Sequence, residues 1–251
     1  MNKVVSIVVA MLVTSLLGLA GFAVIDGNNN ATKFEEYDFH SIIEPSKDNG
    51  NIGEHIKGSA KAPVIIFEYA DFQCPGCAGV NARLDKIIKA DEGKIAIVYR
   101  NYILPGHQNG TAAASAAESA GIQGYWEAYA KILFSNQAEW FYTSGSERTD
   151  YFKKYFIMAT GEQGNMDKFL KDMSSKEVSK KISFDMGIGQ RININGTPAF
   201  YIDGQLIDWS NKKGSSITIN NQTITWDSAR GMEMDFIKLF EDIITAKLTN
   251  K

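Results

Sequence analysis

The chain is predicted to fold as an α/β protein whose sheet is built from two separated parts of the sequence, with a block of helices set between them. Three observations predict this. The apolar run Val64-Ile65-Ile66-Phe67 reads as a strand buried on both faces, and it leads straight into the turn Cys74-Pro75-Gly76-Cys77. A helical spacing of Val80, Leu84, Ile87 and Ile88, followed by the apolar segment 94–99, completes a strand–helix–strand unit whose reactive groups belong at the carboxyl end of the first strand. Strand signals return only at Ala199-Phe200-Tyr201-Ile202, about a hundred residues later, after a region rich in helix formers.

Taken from the start, Val4 to Ile25 is an uncharged run of apolar or small residues, long enough for roughly 30 Å of bilayer at 1.5 Å rise per residue. Lys3 and the amino terminus precede it, and Asp26, Glu35, Glu36 and Asp38 follow. That bias favours a cytoplasmic start and places everything after Ile25 outside the membrane. Residues 1–26 are therefore expected to be a signal anchor, the run being longer than a usual signal core, or a signal peptide cleaved near Ala23. With no cysteine near its end, a lipid-anchored start is excluded. Residues 27–57 mix Asn, Gly, Glu, Lys and Ser and read as a linker, with a short element around 39–43. His40 and His55 in it are read as solvated.

The two cysteines are the only two in 251 residues. Three histidines without finger spacing and no further thiols exclude a four-cysteine zinc site. If the helix starts at Cys74, Pro75 fits its first position, where a fixed φ and a missing N–H cost nothing. The free amides of Gly76 and Cys77 then face the Cys74 sulfur. Those donors and the helix dipole lower its pKa from a reference near ~8.5 to roughly 4–7. Cys74 is thus expected to be the exposed nucleophile and Cys77, one turn further in, the buried resolving thiol. Pro75-Gly76 carries no charge and adds no further pull on that pKa.

After the strand at 94–99 and the loop Leu104-Pro105-Gly106, helices are expected over 111–120, 125–134, 147–159, 166–173 and 175–188. The small residues of the first favour tight packing. The aromatic residues Trp126, Tyr129, Trp140, Phe141, Tyr151, Phe152, Tyr155 and Phe156 read mostly as core, a minority being available to line a groove for a polypeptide. Pro198 belongs at a strand start, Gly196 supplies the turn before it, and Asp203-Gly204 marks a hairpin into Gln205-Leu206-Ile207. Segments 217–219 and 223–226 read as a second hairpin, and 232–248 as a last helix with Phe236, Leu239, Phe240, Ile243 and Ile244 on one face.

Gly58-Ser59-Ala60-Lys61-Ala62-Pro63, then Glu68 to Cys77, then Gly196-Thr197-Pro198-Ala199-Phe200-Tyr201-Ile202-Asp203-Gly204 resemble the DsbA-like branch of the thioredoxin superfamily. The similarity is greatest to its membrane-anchored or exported members from bacteria without a conventional outer compartment, and it spans roughly 51–248. The resemblance implies a thioredoxin fold with an inserted helical domain: first part 58–105, helical insertion 106–190, second part 191–251. It further implies thiol-disulfide exchange with exported proteins, with Cys74 as nucleophile and Cys77 as resolving cysteine. Pro198 matches the cis-proline facing the disulfide, Thr197 the residue contacting the nucleophilic sulfur or the client backbone, and Glu68 the acidic residue beneath the site. A glutamate in a doubly buried strand is desolvated, which raises its pKa and suits it to relay a proton to Cys77; the bland alternative is an outward-facing charge.

Two departures stand out. Pro-Gly lacks the histidine of the strongest oxidants in the family, so a less oxidising potential is expected, and 209–226 is longer than the usual link to the last helix. The implied activity is disulfide donation to reduced exported clients by a monomer, with no cofactor beyond the Cys74–Cys77 disulfide and a separate membrane oxidase to regenerate it. A reductase or isomerase of the same fold, an exported carrier binding metal through Cys74, Cys77 and a histidine, and a non-catalytic adaptor remain alternatives. A formal net charge of −3 argues against nucleic acid as partner.

Overall fold

The computed structural model describes residues 34–161, 163–207, 215–226 and 232–249. The apolar run at 4–25 lies outside them; among the described residues no helix is long and apolar enough to cross a membrane. The sheet is five-stranded. Its strands are β1 (His55–Gly58), β2 (Val64–Ala70), β3 (Ile95–Asn101), β4 (Ala199–Ile202) and β5 (Gln205–Ile207), in the order β1-β3-β2-β4-β5. The β2–β3 pair is parallel and the other three pairings are antiparallel. The parallel pair needs a crossover, which α1 (Pro75–Ala90) supplies. Central strands β2 and β3 are buried almost throughout, as their largely Val, Ile, Phe and Tyr content favours, with Glu68 and Arg100 carried inside them.

The helical block comprises α2 (Gly110–Gly121), α3 (Trp126–Ser135), α4 (Gln137–Trp140), α5 (Gly145–Thr160), α6 (Met166–Asp172) and α7 (Lys176–Arg191). Helix α2 is the block's spine: Ala113, Ala114, Ala116, Ala117 and Ala120 are buried, and their small side chains let neighbours approach closely. Around it Trp126, Tyr129, Trp140, Phe152, Tyr155 and Phe156 are all buried, while Phe141 and Tyr151 are partly so. This core is continuous with Phe72, Cys74, Cys77 and Tyr99, so the cysteine turn lies where the block meets the sheet.

On the sheet's other side α1 and α8 (Met232–Leu248) cover Val64, Ile66, Ile95 and Phe200. The hairpin β6 (Ser215–Ile219) and β7 (Gln222–Trp226) turns at Asn220 and Asn221, both at positive φ (49° and 64°), and buries Ile217, Ile219, Ile224 and Trp226 in the same cluster. Its tip is tied to the helix by Asn220 Nδ2 donating to Ala246 O at 3.1 Å. The described part of the long 209–226 segment therefore extends a core.

Three expectations need correcting. Residues 34–57, read as part of a linker, are packed: Phe34, Ile43 and Ile52 are 4, 6 and 8 % exposed, and 39–43 forms a turn rather than an element. The cause is Arg100, fully buried in β3, whose guanidinium donates to the carbonyls of Phe39 (2.8 Å) and Ser41 (3.1 Å), to Tyr69 Oη (2.9 Å) and to Glu54 Oε1 (3.0 Å). A buried cation must be satisfied, and the segment supplies the acceptors. His55 is not solvated either; its ring stacks on Trp126 at 4.5 Å and bonds Glu118 Oε2 at 2.6 Å, and the residues around it form the edge strand β1. The four-residue α4 was also not expected from the sequence. His40 is exposed, as anticipated.

Replacing Arg100 by Met should leave buried Glu54 without its guanidinium partner and with only Lys181 Nζ, 3.7 Å from Oε2, facing it, lowering stability by about 3 kcal/mol. Urea midpoints should report this loss, and limited proteolysis should report cleavage within 34–54.

Candidate active site

The site is assembled at the carboxyl end of β2. After Ala70 the chain turns through Asp71 to Gln73, closed by Cys74 N–H donating to Asp71 O at 2.9 Å, and α1 begins at Pro75 with Cys74 as its cap (φ −76°, ψ 121°). Asp71 is buried and holds the turn: its carboxylate accepts from Gln73 N (2.8 Å) and Leu104 N (2.9 Å) and pairs with His107 Nδ1 at 2.6 Å. The loop before β4 closes over the cap from the other side. Its Thr197–Pro198 peptide is cis, and the Cys74 thiol donates to Thr197 O at 3.4 Å. Gly76 allows that approach: a Cβ there would lie 3.2 Å from Pro198 Cδ and 3.6 Å from the Cys74 sulfur.

The two thiols are free and differ sharply. Cys74 is driven down to about 5 from an ordinary 9.0, chiefly because the Cys77 thiol donates to its sulfur, then through the Thr197 hydroxyl and the amides of Cys77 and Gly76, all against a desolvation that raises it. The ranking differs from the sequence expectation. No cap hydrogen bond of full strength forms from an amide to the Cys74 side chain, so the amides act as oriented dipoles and the neighbouring thiol as the main donor. Thr197 Oγ1 is buried without a partner at hydrogen-bond geometry in this thiol form, a hydroxyl free to turn toward a sulfur anion. Cys77 is fully buried; burial pushes its thiol well up, and the adjacent Cys74 sulfur and Glu68 push it further. Cys74 itself is only 7 % exposed, less than a freely presented nucleophile, because Pro198 and Thr197 lie over it.

Glu68 lies in β2 between Tyr99 of β3 and Phe200 of β4 and is 5 % exposed, so its carboxylate faces the interior and not solvent. Burial raises its pKa to about 7, with Lys57 opposing and Asp85 and Cys74 adding to the rise. Lys57, on β1, is itself buried and bonds Asn81 Oδ1 (2.7 Å) and Asp85 Oδ1 (2.9 Å) on α1. Sequence reasoning missed these three. Lys57 is the one buried position of a short edge strand, and its partners lie on a helix that only folding brings near, so no local pattern marked it. Among the described residues no cluster of three His, Cys, Asp or Glu side chains is arranged to hold a metal ion. The geometry thus offers one ionisable sulfur, one protonated sulfur behind it, and a titratable carboxyl next to the second.

Comparison with known proteins agrees with this chemistry. A family model described as thioredoxin matches residues 50–219. A probable disulfide bond formation protein D of Bacillus cereus is 27% identical over 181 residues, covering 66% of this chain and 80% of its own. Among solved structures, oxidised BdbD from Bacillus subtilis superposes with a TM-score of 0.58 at 17% identity, over 85% of this chain and all (100%) of its own. Alpha-DsbA1 of Wolbachia pipientis does so with a TM-score of 0.55 at 24% identity, over 76% and 88%; these two likenesses speak for the fold. Part of a Na(+)/H(+) antiporter NhaA 1 of Mycolicibacterium vanbaalenii is also similar, at 28% identity over 64% of this chain and 24% of the antiporter.

Two outcomes follow from the electrostatics. A depressed thiol pKa stabilises the reduced fold fully above about pH 9, and the contribution fades as pH falls and vanishes below about 5. The stability of reduced wild type relative to Cys74→Ser, from urea midpoints, should therefore grow steadily between pH 5 and 9. For Glu68 the sign reverses: its raised pKa means the fold is penalised as pH climbs from 4.5 through about 7. Glu68→Gln should accordingly stabilise the protein by roughly 1–3 kcal/mol at pH 8, and the gain should disappear at pH 4.

Proposed function

The chain belongs to the thioredoxin superfamily, in its DsbA-like branch, and is a thiol-disulfide oxidoreductase; from that premise we propose that it is an exported oxidase that donates the Cys74–Cys77 disulfide to folding secreted or surface proteins. The observation that carries this reading is the inequality of the two sulfurs, one held as an anion by donors from two parts of the chain and the other kept protonated in the core. The apolar run at 4–25, preceded by Lys3, supports placement outside the cytoplasm, either anchored or released by cleavage. A disulfide persists in such a space.

In the proposed cycle a client thiolate attacks the Cys74 sulfur of the disulfide. The Cys74–Cys77 bond breaks, the client–Cys74 bond forms, and Cys77 leaves with the electron pair. Its high proton affinity makes it take up a proton at once, and Glu68, half protonated near neutrality, is the adjacent source. A second client thiolate then attacks the client sulfur of the mixed disulfide, and Cys74 leaves as a stabilised thiolate. The client gains a disulfide; the pair is left with two electrons and must be reoxidised by a separate membrane oxidase. The backbone at Thr197-Pro198, where the chain enters β4, would align a client strand with little selectivity for its side chains.

Equilibration of the pair against glutathione tests the direction. An oxidase should sit well above the about −270 mV typical of thioredoxin, yet below the about −120 mV of the strongest oxidants because Pro75-Gly76 contributes no charge. A potential at or below the thioredoxin value would assign the protein to reduction and overturn the proposal.

A further inference from the structure

The turn that presents Cys74 is held from outside its own domain. Phe72 O and Cys74 O both accept from one nitrogen, Gln137 Nε2, at 2.7 and 3.1 Å. Gln137 opens α4, so it belongs to the helical block and not to the sheet domain. A primary amide nitrogen carries two hydrogens, and here both are spent on the carbonyls that flank Gln73. The Cys74 carbonyl is also the acceptor of the first helical bond, from Ala78 N at 3.1 Å. Fixing that oxygen fixes ψ of Cys74, and ψ decides how the side chain stands relative to the helix start and to the loop carrying Thr197.

The tie runs in both directions. Gln73, buried between the two tethered carbonyls, sends its own amide into the block: its Nε2 donates to Phe141 O at 2.9 Å, and its Oε1 accepts from Asn109 N at 2.6 Å. Asn109 Nδ2 gathers the carbonyls of Trp140, Phe141 and Thr143 at 3.1, 3.1 and 2.8 Å. The short helix α4 is therefore bound to the cysteine turn at its first residue and again just past its last. Trp140 anchors it on the far side, fully buried, with its indole N–H donating to Leu133 O at 3.0 Å. Four residues cannot hold a helix by propensity alone, so α4 is shaped by these ties.

We propose that Gln137 is a positioning residue for exchange at Cys74, the side chain through which the helical insertion holds the cysteine turn in its reactive geometry. The proposal rests on Cys74 being the reacting sulfur. It gives the insertion a part in the chemistry, since the sheet domain supplies both cysteines and the Thr197-Pro198 loop while the block sets the angle at which they meet. Methionine at 137 keeps the length and removes both donors. Glutamate turns an acceptor toward two acceptors, which inverts the interaction.

The test is the pH profile of Cys74 alkylation by iodoacetamide in the reduced full-length protein, together with the rate at which the oxidised protein exchanges with reduced glutathione. Losing two hydrogen bonds at the cap should raise the profile midpoint by about one pH unit in Gln137→Met and slow exchange about tenfold, with Gln137→Glu shifted further. Tyr129→Phe, which removes a buried hydroxyl bonded to Phe152 O elsewhere in the block, serves as the control for general loosening; it should leave the profile in place. Wild-type values in Gln137→Met, or an equal shift in Tyr129→Phe, would overturn the positioning role. A wild-type profile centred at the ordinary thiol value is a separate result, read before any variant is made; it would overturn the assignment of Cys74 and this proposal with it.

Discussion

Everything at the site depends on holding one sulfur as an anion while its neighbour, three residues on, stays protonated. The two thiols differ in place more than in kind. Cys74 caps a helix whose amides face it, lies beside a hydroxyl and a thiol that can donate to it, and keeps slight contact with solvent. Cys77 is one turn deeper, fully buried, and faces a carboxyl that shares its preference for the proton. In exchange that inequality becomes direction: when the mixed disulfide with a client breaks, the negative charge ends on Cys74, where donors already wait.

That arrangement requires most of the molecule. Thr197 reaches Cys74 only because β4 pairs antiparallel with β2, placing the end of the chain against its beginning, with Phe67 opposite Tyr201 and Tyr69 opposite Ala199. Glu68 is held in the interior by strands on both sides of β2, so its charge cannot be discharged into solvent. The helical block closes the remaining side, with Phe72 packed between Tyr99 and Phe134 at 5.2 and 4.7 Å. A buried carboxyl and a buried lysine cost stability that a tighter apolar core would recover. Their retention beside the cysteine pair is the local conflict expected where chemistry outranks packing.

Much of this was legible in the sequence. The apolar run ending in Cys-Pro-Gly-Cys located β2, the cap and α1, because proline at a first helical position and cysteines one turn apart constrain the backbone locally. The strands β4 and β5, the 215–226 hairpin and α8 followed from period and turn residues, and the alanine-rich α2 from propensity. What stayed hidden depends on partners far along the chain. Strand β1 is four residues long and becomes a strand only by pairing with β3; the packing of 34–54 is decided by Arg100, and α4 by Gln73 and Asn109. The low exposure of Cys74 comes from a loop more than a hundred residues away, and the leading share of Cys77 among its donors depends on sulfur geometry that spacing does not encode. Glu68 was placed by resemblance, yet the Lys57, Asn81 and Asp85 grouping beside it had no local pattern to announce it.

The most direct test of this account is a titration of the reduced protein by the ultraviolet absorbance of its thiolate, with Cys74→Ser as the blank. One sulfur should ionise with a midpoint near the value of about 5 given by its surroundings, and the second should stay protonated through neutral pH. A single transition near the ordinary thiol value of 9.0, or two sulfurs ionising together, would contradict it.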